Sequence, residues 1–169
     1  ISISIGVSGS GAITTATNTL TSTVSAFVET STVESAAGIA IEAKDTSTIT
    51  AEIDAFSLSV GLASLAAGLS AVDNLIDNDV SAYAAQANLT AGGAGDIEIT
   101  ASANPTIESS SFVGAVSIGI GGSTMIGESN TTIEGKVEAY VDGGSLTAEG
   151  DSVAISAGAT STADPTVEG

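Results

Sequence analysis

Three aspartates in the middle of the chain are its best candidates for binding a metal ion. Asp73, Asp77 and Asp79 lie close together in sequence, next to Asn78. Carboxylate and amide oxygens are the ligands that calcium prefers, roughly six to eight of them at one site. The cluster therefore indicates a calcium site, and a solvated acidic turn is the alternative. Neither the EF-hand loop pattern nor the glycine-rich nonapeptide of calcium-binding β-rolls occurs.

The residue types give little support to catalysis. Serine is abundant, but the chain has no histidine, the base that usually activates a serine nucleophile. Lys44 and Lys136 are the only basic residues, and each lies in a polar context typical of a solvated charge. A pair of carboxylates could hydrolyse a glycosidic bond, but no pair stands apart from the other acids. We therefore expect no enzymatic activity and no cofactor other than calcium.

Two further patterns concern modification and aromatic contacts. Asn88 and Asn130 each begin an Asn-X-Thr triplet, the acceptor pattern for N-glycosylation, although a chain this rich in serine and threonine matches it by chance as well. Phe27, Tyr83 and Tyr140 recur at intervals of about 56 residues. This recurrence predicts a stacked aromatic ladder, with an exposed sugar-binding stripe as the alternative.

The charge of the chain excludes several classes of partner. Twenty acidic and two basic residues give a formal net charge of −18. A surface that binds phosphates needs clustered lysine or arginine, so we exclude nucleic acid and see no attraction to anionic lipid. No stretch predicts a membrane-inserted segment, and the absence of cysteine excludes disulfides and thiolate chemistry. An acidic surface rich in serine and threonine is typical of secreted, cell-surface proteins.

Three similar units of about 56 residues organise the chain and position these candidates. Two sets of equivalent segments are VSAFV from Val24, VSAYA from Val80 and VEAYV from Val137, and IAIEA from Ile39, IEITA from Ile97 and VAISA from Val153. Self-similarity at this period indicates a solenoid, a propeller or an array. We therefore interpret residues 1–169 as one repeat domain with units at approximately 1–56, 57–114 and 115–169.

Within each unit the apolar residues alternate with small or polar ones. Ile39, Ile41 and Ala43 alternate with Ala40 and Glu42, a period of two that predicts strands with one buried face. Each unit contains about three such clusters, so we expect an all-β fold, a parallel β-solenoid (β-helix). With about 19 residues to a rung, the chain would form about nine rungs over about 40 Å.

One segment departs from this pattern. Leu62, Leu65, Leu69 and Val72 recur at helical spacing, so a local amphipathic helix near 62–76 is possible. The equivalent segments of the other two units lack the pattern, and equivalence of the units favours a strand instead.

The repeats resemble those of large bacterial surface exoproteins, the filamentous-adhesin and leukotoxin-like proteins with β-strand repeats. The segments that carry the resemblance are NTLTSTVSAFV, NLIDNDVSAYA, TTIEGKVEAYV and GGSLTAEGDSVAISA. The resemblance implies a β-solenoid stalk that is exported to the cell surface. The chain departs from those proteins in its short length and in the leucine-rich stretch of its second unit.

The ends of the repeat array suggest a mode of assembly. An isolated solenoid needs polar caps over its terminal rungs, and we find none in the sequence. If Val167 is equivalent to Ile107, the repeat phase resumes across the two ends about four residues short. We therefore expect copies of the chain, or further repeats of the same chain, to stack end to end as a structural component of an extracellular fibre or adhesin stalk. The alternative is an adhesin domain that binds carbohydrate or another surface through an exposed solenoid face.

Overall fold

The computed structural model describes residues 1–5, 7–150 and 152–169, which are built almost entirely from β-strands. The strands are β1 (Ser2–Ile5), β2 (Ser8–Glu29), β3 (Thr32–Ser35), β4 (Ile39–Asp45), β5 (Thr48–Ala91), β6 (Ile97–Ala103), β7 (Thr106–Ala148), β8 (Val153–Ala159) and β9 (Thr162–Glu168). Over these ranges there is no helix, and accordingly none that could cross a membrane. The predicted all-β class is confirmed.

The strands form two sheets, and all the strand pairs are parallel. In the six-stranded sheet, β5 lies between β7 on one side and β1, β2 and β3 on the other, while β9 pairs with the start of β7. The second sheet has the order β4-β6-β8. Partners are one repeat apart: Val24 pairs with Val80, Val80 with Val137, and Ile39 with Ile97. We call the stacked sets of residues layer 1 (1–56), layer 2 (57–114) and layer 3 (115–169).

The expectation of about nine rungs of about 19 residues is wrong. Paired residues are separated by a whole repeat, as in Ser2 with Ser57 and Thr48 with Thr106. Alternation of apolar and polar residues predicts that a segment is a strand, but it does not reveal how far the chain travels before it returns. At about 4.8 Å between neighbouring strands, layers 1 and 3 are only about 10 Å apart, and not about 40 Å.

The possible helix near 62–76 is also wrong, because this segment is part of β5. It pairs with β2 on one side and with β7 on the other, so its backbone hydrogen bonds are made between strands. The buried positions follow a period of two, with Ala66, Ser70 and Val72 inside. Leu65 lies on the outer face and is exposed, so the leucines that suggested a helical stripe do not share one buried face.

The long strands fold back on themselves instead of running straight. A straight strand of this length would extend for about 145 Å, yet the hydroxyls of Ser109 and Ser129, both in β7, are 2.8 Å apart. The pairing of β5 with β7 slips by one residue between Val60 and Ala63. We call this end of each layer, residues 1–16, 55–72 and 113–127, the tip.

The core lies between the two arms of each folded layer. The larger cluster packs β4 and β6 against the second half of β5, with Ile41, Val80, Leu89 and Ile99 among its buried residues. A smaller cluster nearer the tip contains Ile49, Val72, Ile76 and Ile107. Closer to the tip the interior is lined by serines, and Ser70 and Ser111 are hydrogen bonded there. Small side chains suit this interior because the two arms approach closely.

The observed pairing of β9 also corrects the alignment of the C-terminal end with the second unit that the sequence suggested. Val167 pairs with Ser111, and the partner of Ile107 is Ala163. The inferred equivalence of Val167 and Ile107 was therefore displaced by four residues along β9. In the observed pairing Glu168 is the partner of Phe112, and Ser2 is the partner of Ser57, which in turn pairs with Ala115. Phe112 and Ala115 are three residues apart, and Glu168 and Ser2 are also three residues apart when Gly169 is counted as followed by Ile1.

Candidate functional site

The two outer layers expose the edges of parallel sheets. Along β2, β4 and β8 the structure pairs the backbone on one side only. Residues of β7 beyond Phe112 likewise pair with β5 alone within the described ranges. Such edges carry rows of N–H and C=O groups that can pair with another strand. Each end of the stack therefore presents a template for a further layer.

Apolar side chains at these ends are only partly covered. Ile41, Ile99 and Ile155 occupy one column, in layers 1, 2 and 3. Ile99 in the middle is 0% exposed, whereas Ile155 is 45% exposed. Two residues earlier in the same strands, Ile97 is likewise 0% exposed while its partner Val153 is 43% exposed. Ile41 in layer 1 is only 6% exposed, so the uncovered apolar surface of this column lies at the layer 3 end.

The aromatic residues at the recurring position form a continuous stack. The ring centroids of Phe27 and Tyr83 are 5.2 Å apart, and those of Tyr83 and Tyr140 are 4.9 Å apart, with nearly parallel planes. The stack lies on the outer face, and the Tyr83 hydroxyl donates a hydrogen bond to Glu29 at 3.0 Å. Desolvation raises the pKa of Tyr83, and the hydrogen bond to Glu29 adds to the effect. One face of Phe27 and one face of Tyr140 remain without a stacked ring.

Polar side chains also repeat from layer to layer as hydrogen-bonded ladders. The Asn18 amide donates to Oδ1 of Asn74 at 2.8 Å, in the interior of the stack. On the outer face the hydroxyls of Ser25 and Ser81 are 2.9 Å apart. Nδ2 of the buried Asn74 has no partner within the described residues, and the position above it in layer 3 is Thr131. The ladder of amides is therefore interrupted at layer 3.

A buried carboxylate near the middle of the layer was missed by the sequence patterns. Asp45 at the end of β4 is almost fully buried, and its Oδ2 accepts a hydrogen bond of 2.6 Å from Nδ2 of Asn78. Ser47 donates to it from both the backbone and the hydroxyl, and Ser22 adds a longer contact at 3.4 Å. A single aspartate two residues before a serine carries no sequence signal for such a network, because its other partners, Ser22 and Asn78, come from β2 and β5.

The three aspartates predicted to bind calcium are placed along one strand instead of around one point. On the outer face of β5, Asp77 is four residues after Asp73, and Asp79 is two residues after Asp77. Residues two apart on a strand are separated by about 7 Å. Asp73 accepts a hydrogen bond from Asn130 at 2.9 Å, and it lines a shallow cavity of about 370 Å³ together with Glu134. The described residues contain no group of three or more potential ligands able to hold a metal ion.

Lys136 and the two predicted glycosylation sites lie on the exposed surface of the strands. Lys136 forms an exposed ion pair with Glu138 at 2.7 Å, and this hydrogen bond raises the pKa of Lys136, which favours the charged form over a general base. Asn88 and Asn130 are both exposed in strands, and the Asn88 amide oxygen accepts a hydrogen bond from Ser145. Glycosylation at either asparagine stays a prediction.

Comparison with known proteins gives no relative from which a function could be transferred. No family model, no curated protein and no solved structure matches the chain. The resemblance to filamentous-adhesin repeats therefore stays a hypothesis based on the sequence pattern alone.

Proposed function

We propose that the chain is a β-solenoid module of an extracellular fibre or adhesin stalk at the cell surface, and that it stacks end to end with copies of itself or with further repeats. The observation that carries this proposal is the pair of open parallel edges in layers 1 and 3. Each edge offers backbone partners, and each has partly uncovered apolar side chains behind it. Continuous ladders would make such a stalk stiff, and the acidic outer face would keep stalks apart.

The columns of the fold support a specific stacking register. If layer 1 of one copy covers layer 3 of another in the register seen inside the chain, Ile155 meets Ile41, Val137 meets Val24 and Tyr140 meets Phe27. Each contact repeats a type of contact that already exists between two layers. The aromatic stack would then continue from copy to copy. Further repeats of the same chain would make the same contacts.

Charge opposes this register at few positions. Lys136 would meet Thr23, and Glu128, Glu134, Glu138 and Asp164 would each meet a serine or threonine in the next copy. Asp142 over Glu29 is one of the like-charged exceptions, and it lies on the outer face where salt screens the repulsion. Stacking is therefore expected to strengthen as ionic strength rises.

The test is assembly of the purified chain, followed by analytical ultracentrifugation over a range of concentrations. The variant Ile155→Lys places a charge at the open end, where it is tolerated in a single copy because the lysine stem can reach water. We expect this variant to sediment as a single copy while the unmodified chain forms long assemblies. Thr19→Lys is the matched control, since it adds the same charge to the outer face and should leave assembly intact. An unmodified chain that stays a single copy at all concentrations would refute the proposal.

A carbohydrate-binding adhesin domain is the second candidate, and the exposed aromatic stack favours it. Sugars commonly stack on the face of an aromatic ring, and here the free faces belong to Phe27 and Tyr140 at the two ends of the stack. Glycan binding that is lost on Tyr140→Ala, in a chain that does not assemble, would support this candidate over the fibre.

A further inference from the structure

The tip carries a ridge of aliphatic side chains that the stacking proposal does not use. Val7, Leu62 and Ile120 come from layers 1, 2 and 3, and they are 80%, 83% and 84% exposed. In layer 2, Leu62 is next to the slip in register between Val60 and Ala63, where the extra residue turns outward. Three large aliphatic side chains at one edge, each mostly in water, form a continuous apolar surface that is unusual for a soluble protein.

Further apolar side chains extend this surface on both sides of the ridge. Ile13, Leu65 and Ile126 are exposed on one arm of the folded layers, and Phe112, Val116 and Ile118 on the other. A broad, open apolar surface adjoins the ridge and includes Val7, Leu65, Ile120 and several glycines. The ridge and this open surface are adjacent, so one copy can lay its ridge on the open surface of another while receiving the partner's ridge on its own. This is the self-complementary arrangement that a two-fold interface requires.

The distribution of charge selects the partner. All 20 acidic residues lie outside the tip, because residues 1–16, 55–72 and 113–127 contain no charged side chain. Side-by-side contact through the remaining outer faces would bring carboxylates of two copies together in a chain of net charge −18. Contact through the tip avoids this repulsion. An anionic membrane would be repelled by the rest of the molecule, and no basic residue at the tip would attract it.

We propose that the tip is a lateral docking surface for a second copy of this chain, which pairs two modules edge to edge through the ridge of Val7, Leu62 and Ile120. The contact is perpendicular to the stacking direction and does not need stacking to form. In a fibre it would join two stalks side by side, and in an unstacked chain it would give a dimer.

The absence of cysteine makes the test direct. Leu62→Cys introduces a single thiol on the ridge, and Thr19→Cys introduces one on the outer face of β2, away from the tip. Both are made together with Ile155→Lys, so that end-to-end stacking does not contribute. With a short bismaleimide cross-linker, we expect a covalent dimer in high yield for Leu62→Cys and at least tenfold less for Thr19→Cys. Equal yields, or no dimer from Leu62→Cys, would overturn the inference.

A second variant separates docking from folding. Gly122 lies on this open surface, and a Cβ at this position would meet no atom within 4 Å, so Gly122→Leu raises a bulky side chain against the partner's ridge without a clash inside the layer. We expect Gly122→Leu to abolish the cross-linked dimer while the circular dichroism spectrum stays that of the parent. A retained dimer would contradict the docking geometry.

The outcomes for stacking and for lateral docking are distinguishable. Filaments of the unmodified chain that are one module wide would overturn lateral docking and leave the fibre proposal standing. Dimers that cross-link at Leu62→Cys in a chain that never forms filaments would do the opposite. Binding of the tip to vesicles of zwitterionic phosphatidylcholine, seen as a blue shift of a fluorophore on Leu62→Cys and without any dimer, would replace the second copy by lipid and overturn the inference.

Discussion

The column of Ile41, Ile99 and Ile155 allows the cost of an uncovered layer to be measured with one type of substitution. Ile99→Ala and Ile155→Ala remove the same atoms from neighbouring layers in the same register. The two positions differ in burial, because Ile99 is 0% exposed and Ile155 is 45% exposed. Ile41, which is also in an outer layer, is 6% exposed, so the comparison measures the cost of the uncovered layer 3 end.

The expected magnitudes follow from the burial. Ile99→Ala leaves a closed cavity between layers 1 and 3, which costs about 2–5 kcal/mol in the free energy of unfolding. Ile155→Ala leaves no closed cavity in a single copy, and only slightly more than half of the side chain is removed from water. Its cost is therefore about 1 kcal/mol. In a stacked assembly the second substitution should approach the cost of the first.

Two assays measure these costs, one for the single copy and one for the stacked assembly. Urea unfolding, followed by circular dichroism, is measured for both Ile99→Ala and Ile155→Ala in the parent chain at concentrations below assembly. The concentration at which assembly begins is measured by light scattering. We expect Ile155→Ala to raise this concentration at least about fivefold, since about 1 kcal/mol or more of additional burial is lost at each junction.

The reasoning would be refuted by equal costs in single copies, because Ile155 would then already be covered. An unchanged assembly concentration for Ile155→Ala would be equally damaging, because the layer 3 edge would then not be the surface that stacks.

Three further predictions concern individual residues. Asp45→Ala should lower the free energy of unfolding by about 1–3 kcal/mol in chemical denaturation, because it leaves the buried amide of Asn78 without its acceptor. Gly135→Ala should destabilise the chain by more than about 1 kcal/mol, since Gly135 has a φ of 140° and a Cβ there would lie 2.1 Å from the carbonyl oxygen of Asn78. In Tyr140→Phe, Tyr83 is the only tyrosine, and its absorbance titration should have a midpoint above 10. A raised pKa stabilises the fold below the unfolded pKa, and this contribution is lost as the pH rises through the folded pKa.

Each of these predictions has a matched control. Glu42→Ala removes an exposed carboxylate from the same strand as Asp45 and should change stability by less than about 0.5 kcal/mol. Gly122→Ala adds a methyl group where no atom is within 4 Å and should be tolerated. Glu29→Gln, made in the Tyr140→Phe background, should lower the Tyr83 midpoint. A midpoint that does not respond would show that Glu29 does not contribute to the shift.

The sequence predicted the local structure better than the path of the chain. Alternation in segments such as Ile39–Asp45 identified strands, because one face of each strand is buried. In the 44 residues of β5 the buried positions change from odd to even numbers between Ser59 and Ser64, at the tip, and the leucines of this segment concealed that break in the sequence pattern. Leu62, Leu65 and Leu69 imitated a helix because they line the outside of the tip, which a pattern of buried residues does not anticipate.

For the candidate sites too, the sequence predicted some contacts and missed others. The recurrence of Phe27, Tyr83 and Tyr140 at one repeat position brought their rings together because equivalent residues pair directly. Proximity in sequence did not bring Asp73 and Asp77 around a common point, since successive outward positions on a strand are about 7 Å apart. Asn78 and Ser22 are distant from Asp45 in sequence, and only the fold places them in contact with it.

The most direct test of end-to-end stacking is electron microscopy of the native material, with the power spectrum of the images measured along the long axis. Stacking of three-layer modules predicts filaments with a layer line near 4.8 Å and a module rise of about 14 Å. Discrete particles of 16.2 kDa, or of twice that mass, would contradict it, because the open edges would then not recruit a further layer.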